Sequence, residues 1–498
     1  MPLPSGLPML ALLLVESALS TPIPTSQPGA LQLYPPTKLA RFSVALDHFR
    51  FRRGEHRFGL RYATYESFAP NRTAPVLFYC GNEGALETFY NHTGAMFELA
   101  QRIGAYVLFV EHRFYGDSLP FGRDSFSNDA LQYLSIEQAL ADYAEVIVAL
   151  PTLLGCRGTG RNAASGRCDT VLFGGSYGGM LAAWHRYKYP HLSRGAVASG
   201  APVDFYPGEQ VQPAFLAAVA AAYDSYGASE AGCAAALLAA LHAADVATPS
   251  ELASAGVRAC APLDSSSPER YAFYARGAVA SIAMLDYPYP CDFVAPLPAN
   301  PLRRACAALA SEAEAPLPAL HRAVLGYVNA SGDLPCVDLR AELVGQGLAS
   351  ARGAREHGSD LGVTAWNYQA CTELLLEPIT SDGYGFYPES APQLASVSRR
   401  CEELFGVEPR PFWMELSFGR GADFRQASNI FFSENDKDPW HVGTRTVPAH
   451  GGVNDTVTRF VARGGAHHQD LRFASVWDAP DVHKARALEE SAIRQWLR

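Results

Sequence analysis

Between residues 40 and 200, short continuous apolar runs alternate with stretches of helical periodicity. Ala74 to Tyr79 (APVLFY), Ala105 to Val110 (AYVLFV), Thr170 to Phe173 and Gly195 to Ser199 read as buried strands. Phe89 to Arg102, Ile136 to Leu154 and Gly178 to Tyr189 read as helices between them. Strands without alternation, separated by helices, predict a parallel sheet covered on both faces. The pattern changes near residue 205. From there to about 405, Ala- and Leu-rich helical stretches such as Ala234 to Ala244 are joined by Pro-rich connectors such as Pro288 to Pro301. Strand candidates resume at Ser428 to Ser433 and Val457 to Ala462, and Ala485 to Leu497 is an amphipathic helix. The simplest account is an α/β domain in two parts, 37–204 and 406–498, interrupted by a helical cap over 205–405.

Composition adds limits. A chain of 498 residues, 48% hydrophobic and 18% charged, is folded and large enough for more than one domain. A net charge of -10 leaves no basic footprint for nucleic acid. Leu7 to Val15 is a short apolar run, and Ala18 and Ser20 are small residues ahead of a possible cleavage point. Residues 1–20 therefore read as a secretory signal peptide, although no Lys or Arg precedes the run. That run is too short to span a bilayer, and no later segment is long and apolar enough. Ten cysteines permit disulfides in an oxidising compartment. Cys156 with Cys168, and Cys233 with Cys260, flank segments that such bonds could close. Glycosylation sequons stand at Asn71, Asn91, Asn329 and Asn454.

The strongest chemical signal is Gly174-Gly175-Ser176-Tyr177-Gly178-Gly179, directly after a strand and directly before a helix. That context fits the nucleophile elbow of an α/β-hydrolase, in which small residues let the chain turn sharply. Ser176 would then sit at a helix N-terminus, with the Tyr177 N–H as the first oxyanion donor. A serine hydroxyl needs a general base oriented by a carboxylate, in the chain order Ser, acid, His. Asn435-Asp436-Lys437-Asp438-Pro439-Trp440 follows a late strand, and its two acids compete. Pro439 and Trp440 would stiffen and bury Asp438, which favours it. Gly464-Gly465-Ala466-His467-His468 follows the last strand, and either His would serve. Gly81-Asn82-Glu83-Gly84 follows an early strand, where the second oxyanion N–H belongs, from Gly81 or Asn82. No spacing suggests a metal or another cofactor.

Nine segments recur here in one order, among them YCGNEG (79–84), VEHRFYGDSLPFG (110–122), MLDYPYPCDFVAPLPANP (284–301), WNYQACTE (366–373), NDKDPW and GGAHHQDLR (464–472). From about residue 40 onward the chain resembles the serine peptidase family of dipeptidyl peptidase II and lysosomal Pro-Xaa carboxypeptidase. Its DYPYP and PLPANP stretches look closer to the dipeptidyl peptidase branch. The resemblance implies an α/β-hydrolase fold with a helical cap between nucleophile and acid. It implies a Ser176, Asp438, His467 triad, release of dipeptides after Pro or Ala at the second position, and acidic working pH. It further implies a glycosylated homodimer in lysosomes or other vesicles, or secreted. Two features depart from the family pattern. Asp436 and Lys437 put extra charge beside the acid. The stretch Gln346 to Arg355 lacks the Cys-bracketed Asp that would hold a substrate amine, so that either Glu83, Glu342 or Asp360 takes that role, Glu83 in preference, or amine recognition is weakened.

Overall fold

The computed structural model describes residues 29–51, 56–205, 211–226, 232–294, 296–310, 315–339, 363–375, 386 and 394–498. The proposed leader, Glu342, Asp360 and the Gln346 to Arg355 stretch lie outside them. Nine strands form one sheet: β1 Lys38–Ala45, β2 Arg57–Tyr65, β3 Val76–Cys80, β4 Tyr106–Val110, β5 Thr170–Gly175, β6 Gly195–Ser199, β7 Ile430–Asn435, β8 His450–Gly451 and β9 Val457–Ala462. Their order is β1-β2-β4-β3-β5-β6-β7-β9-β8. From β4 through β9 neighbouring strands run parallel, whereas β1 and β2 form an antiparallel entry and β8 an antiparallel edge. β3 to β7 are buried along their whole lengths, as continuous apolar runs require. This is the α/β-hydrolase architecture.

The first two strands escape the apolar-run reading because they carry Arg41, Arg57 and Arg61. Tertiary partners accommodate these charges: Arg61 is buried and pairs with Glu87 and Glu111. The predicted helix over 89–102 is two helices, Leu86–His92 and Gly94–Ile103. The break falls at Thr93, whose hydroxyl donates to the Phe89 carbonyl at 2.7 Å. A side chain on Gly94 would collide with the Phe473 ring.

Between β6 and β7 the described elements are helical, apart from isolated bridges joining Ala259 to Val337 and Cys291 to Leu297. Helices Cys233–Asp245, Ser267–Met284, Pro301–Leu309 and Pro316–Val328 pack on one another. Cys156–Cys168 closes its local loop, as spacing suggests. Cys233 does not pair with Cys260. The bonds are Cys233–Cys306 and Cys260–Cys336. Cys233 opens a helix lying against Pro301–Leu309, while the bridge from Ala259 to Val337 brings Cys260 to Cys336. A fourth bond joins Cys371 to Cys401, and Cys80 and Cys291 are buried free thiols. Four disulfides suit an oxidising compartment. No described helix is long and apolar enough to cross a membrane.

Helix Pro480–Trp496 packs on β6, β7 and β9. Its buried Trp496 ring lies flat on Gly195, where a Cβ would come within 2.2 Å of the ring. Removing that ring opens a cavity under β6. Trp496→Ala should cost about 3–5 kcal/mol in urea unfolding. A loss below about 1 kcal/mol would show that this helix does not close the core.

Candidate active site

Strand β5 ends in a turn that only small neighbours permit. Ser176 has φ 57° and ψ −128°, a strained conformation for a residue with a side chain. Its N–H donates to the Ser199 carbonyl at 2.8 Å, so β6 holds the turn from one side. A Cβ on Gly174 would meet the Gly178 carbonyl oxygen at 2.0 Å, and one on Gly178 would meet Asn82 Oδ1 at 2.3 Å. Helix Tyr177–Lys188 starts immediately, and Ser176 stays partly exposed while Gly175 and Tyr177 are buried.

The loop after β3 is fastened to this turn. Asn82 Nδ2 donates to the Gly175 carbonyl at 2.6 Å, and Asn82 Oδ1 accepts from the Tyr79 hydroxyl at 2.8 Å. The Gly81 carbonyl accepts from Tyr143 at 3.0 Å. Glu83, next in the loop, is buried, and its Oε2 has no hydrogen-bond partner. Burial pushes its carboxyl up, opposed by hydrogen bonding and by the charge of His467.

The loops that carry Asp438 and His467 leave β7 and β9 at the same sheet edge. His467 Nδ1 lies 2.6 Å from Asp438 Oδ2, with the two side chains 3% and 0% exposed. A carboxylate accepts here, so Nδ1 carries the proton and Nε2 keeps its lone pair. Asp438 Oδ1 accepts from the Trp440 N–H at 3.1 Å. A side chain on Gly200, which follows Ser199, would begin 3.2 Å from both Asp438 Oδ2 and His467 Cε1. Ser176, Asp438 and His467 thus converge on the end of β6. Asp436 instead accepts from the Gly464 N–H at 2.7 Å, and Lys437 pairs with Asp286 at 2.8 Å. Asp436 and Lys437 are thus each engaged by partners other than the His467 side chain. His468 packs on His467 with ring centroids 4.3 Å apart. Burial, then His467 and Arg472, push its imidazole well below the usual range, so it is a neutral ring.

Sequence reasoning missed a network behind Tyr177. His112 Nδ1 donates to the Arg113 carbonyl at 2.7 Å, which leaves Nε2 to accept from the Tyr177 hydroxyl at 3.0 Å. Gln369 Nε2 donates to the same hydroxyl at 2.9 Å and to Glu373 at 2.9 Å. The WNYQACTE segment thereby braces the elbow. Its Gln369 and Glu373 carry no local signal, because their partners lie more than 190 residues away or on the same helical turn. Among the described residues no cluster of His, Cys, Asp and Glu could hold a metal ion. Of the sequons, Asn71 and Asn454 are exposed, while Asn91 and Asn329 are half-buried with Oδ1 accepting from Leu31 and Leu334 backbone N–H groups.

Residues 44–489 match the family described as Serine carboxypeptidase S28. The chain belongs to that family. It is 34% identical over 480 residues to a lysosomal Pro-X carboxypeptidase of Bos taurus, covering 93% of this chain and 89% of that protein. The Homo sapiens protein of the same name is 32% identical over 486 residues, covering 95% and 90%. A thymus-specific serine protease of Mus musculus is 29% identical over 454 residues, covering 88% and 83%. Membership makes this S28 chain a serine peptidase.

Two sets of buried groups set its pH response. Glu373 is pushed up to about 8, first by burial and then by Glu137. Glu434 and Glu489 are also raised, first by burial, then by Asp438 and Asp470 respectively. His112 is lowered to about 4 and His185 to about 3, both chiefly by burial. The folded state holds protons on the carboxyls that the unfolded chain releases above 4.5, so their stabilisation is lost as pH rises. It refuses protons on the histidines that the unfolded chain takes up below 6.5, so theirs is lost as pH falls. Each group contributes up to about 1.4 kcal/mol per pH unit in its window. The thermal midpoint should therefore peak between pH 4.5 and 6.5 and fall toward 8. Glu373→Gln should flatten the alkaline fall. A midpoint that climbs steadily from 4.5 to 8 would contradict this.

Proposed function

We propose that this S28 peptidase releases N-terminal dipeptides, with Pro or Ala at the second position, through a Ser176–His467–Asp438 triad. His467 Nε2 takes the Ser176 proton as Oγ attacks the carbonyl of the second residue. Asp438 keeps the imidazole in the required tautomer and steadies the imidazolium. Backbone N–H groups of Tyr177 and of Asn82 or Gly81 receive the oxyanion. The imidazolium then protonates the leaving amine, the peptide bond breaks, and water, deprotonated by His467, hydrolyses the acyl-enzyme.

The observation that carries the N-terminal direction is Glu83. It is a buried carboxyl with a free oxygen, on the loop fastened to the elbow and within electrostatic reach of His467. An arriving ammonium would ionise it and form the missing pair. The helices over the sheet would admit only a chain end. The same reading makes the chain a glycoprotein at Asn71, Asn91, Asn329 and Asn454, a homodimer, and a resident of lysosomes or other secretory vesicles. The lysosomal relatives and the disulfides support that location.

A second reading, release of a C-terminal residue after Pro, has its own support. Relatives carry the name Pro-X carboxypeptidase. Arg472 is a buried guanidinium with an unpartnered Nε and no carboxylate in a salt bridge with it among the described residues.

A fluorophosphonate probe should label the wild type and fail on Ser176→Ala; an unlabelled wild type would sink the serine mechanism. Free-amine Xaa-Pro amides should be cleaved and N-blocked ones refused. Glu83→Gln should lower kcat/KM on free-amine substrates about tenfold to a hundredfold, the value of a charged hydrogen bond. Turnover of N-blocked peptides with a free C-terminal carboxylate would select the second reading.

A further inference from the structure

The base loop is not held by its own domain alone. The His467 N–H donates to the Met284 carbonyl at 2.9 Å, and the His467 carbonyl accepts from the Tyr287 hydroxyl at 2.8 Å. Both partners come from the inserted helical region, at the end of helix Ser267–Met284. Between them, Asp286 is fully buried and accepts from Lys437 Nζ at 2.8 Å. Lys437 adjoins Asp438 in the acid loop. Asp286 is fixed in turn by the Leu302 N–H at 3.1 Å and the Tyr226 hydroxyl at 2.7 Å. Tyr287 stacks on Tyr289 and accepts from Arg472 at 3.0 Å, so its hydroxyl has one lone-pair role and one donor role, both filled.

We infer that residues 284–287 form a strap that sets the distance between the acid and base loops, with Tyr287 and the Asp286–Lys437 pair as positioning residues. The inference rests on the triad proposed above. Acid and base arrive on separate loops after β7 and β9, and their 2.6 Å contact tolerates little error. A surface ion pair would contribute little, but this one has a fully buried carboxylate. It joins the acid loop to the same four residues that grip both backbone polar groups of His467. The hydrogen bonds of the strap go to the loops that carry Asp438 and His467, so it acts on the alignment of those two side chains. It also gives Lys437, the residue that departs from the family pattern, a partner and a purpose.

The test is the inactivation kinetics of Ser176 with a fluorophosphonate, which reads the activated serine without depending on which peptide end is cleaved. Wild type, Tyr287→Phe, Lys437→Gln and the double variant are compared, with rates taken from the labelled fraction so that misfolded protein does not count. Misalignment should lower the maximal labelling rate about tenfold or more in Tyr287→Phe, since small displacements of a base are costly. The apparent KI should stay within about twofold, because uniform binding is untouched. Lys437→Gln should show the same split to a smaller degree, and it decides the matter if Tyr287→Phe does not fold. Labelling of every folded variant at the wild-type rate overturns the strap while the serine mechanism stands. A wild type that does not label at Ser176 removes the mechanism, and the strap with it.

Discussion

The site depends on one strained turn. Ser176 can hold φ 57° only because the backbone of helix Tyr177–Lys188 packs directly on β5 and because β6 ties its N–H. That close approach requires hydrogen in place of a side chain at Gly174 and Gly178. It also places the Asn82 side chain against the elbow, which fixes the loop carrying Glu83. The parallel order β3-β5-β6-β7-β9 then brings the loops of Asn82, Ser176, Asp438 and His467 out at the same sheet edge. Strain at Ser176 is held by neighbours that are themselves fully buried.

Burial on this scale fixes protonation as well as position. Carboxyls at Glu373, Glu434 and Glu489 are neutral where water would leave them charged, and His112, His185 and His468 are neutral where mild acid would protonate them. The fold therefore prefers conditions in which neither set is forced to ionise. The Tyr177 network needs that state, because a neutral His112 must accept from the tyrosine hydroxyl.

The sequence made much of this readable. The apolar runs of β3 to β7 need no partner to be recognised, since full burial erases alternation. The elbow was readable because strand, glycines and helix are contiguous. What local pattern could not supply was pairing over distance. Arg61 disguises β2 until Glu87 and Glu111 neutralise it. Cys233 and Cys260 are near in sequence yet belong to different packing contacts. Asp436 and Asp438 differ in role only through the backbone that turns one toward Gly464 and the other toward His467. Lys437 looks like stray charge until Asp286 is placed opposite it.

The interruption of the sheet between β6 and β7 has a consequence for biosynthesis. When a ribosome has made β5, the Ser176 turn and β6, the proposed nucleophile exists without the loops that carry Asp438 and His467. On the proposed triad, Ser176 gains its acid and base only after the helical segment has been synthesised. The same order leaves β6 with an unpaired edge until Ile430–Asn435 emerges and pairs with it. That edge is open to mispairing during the interval.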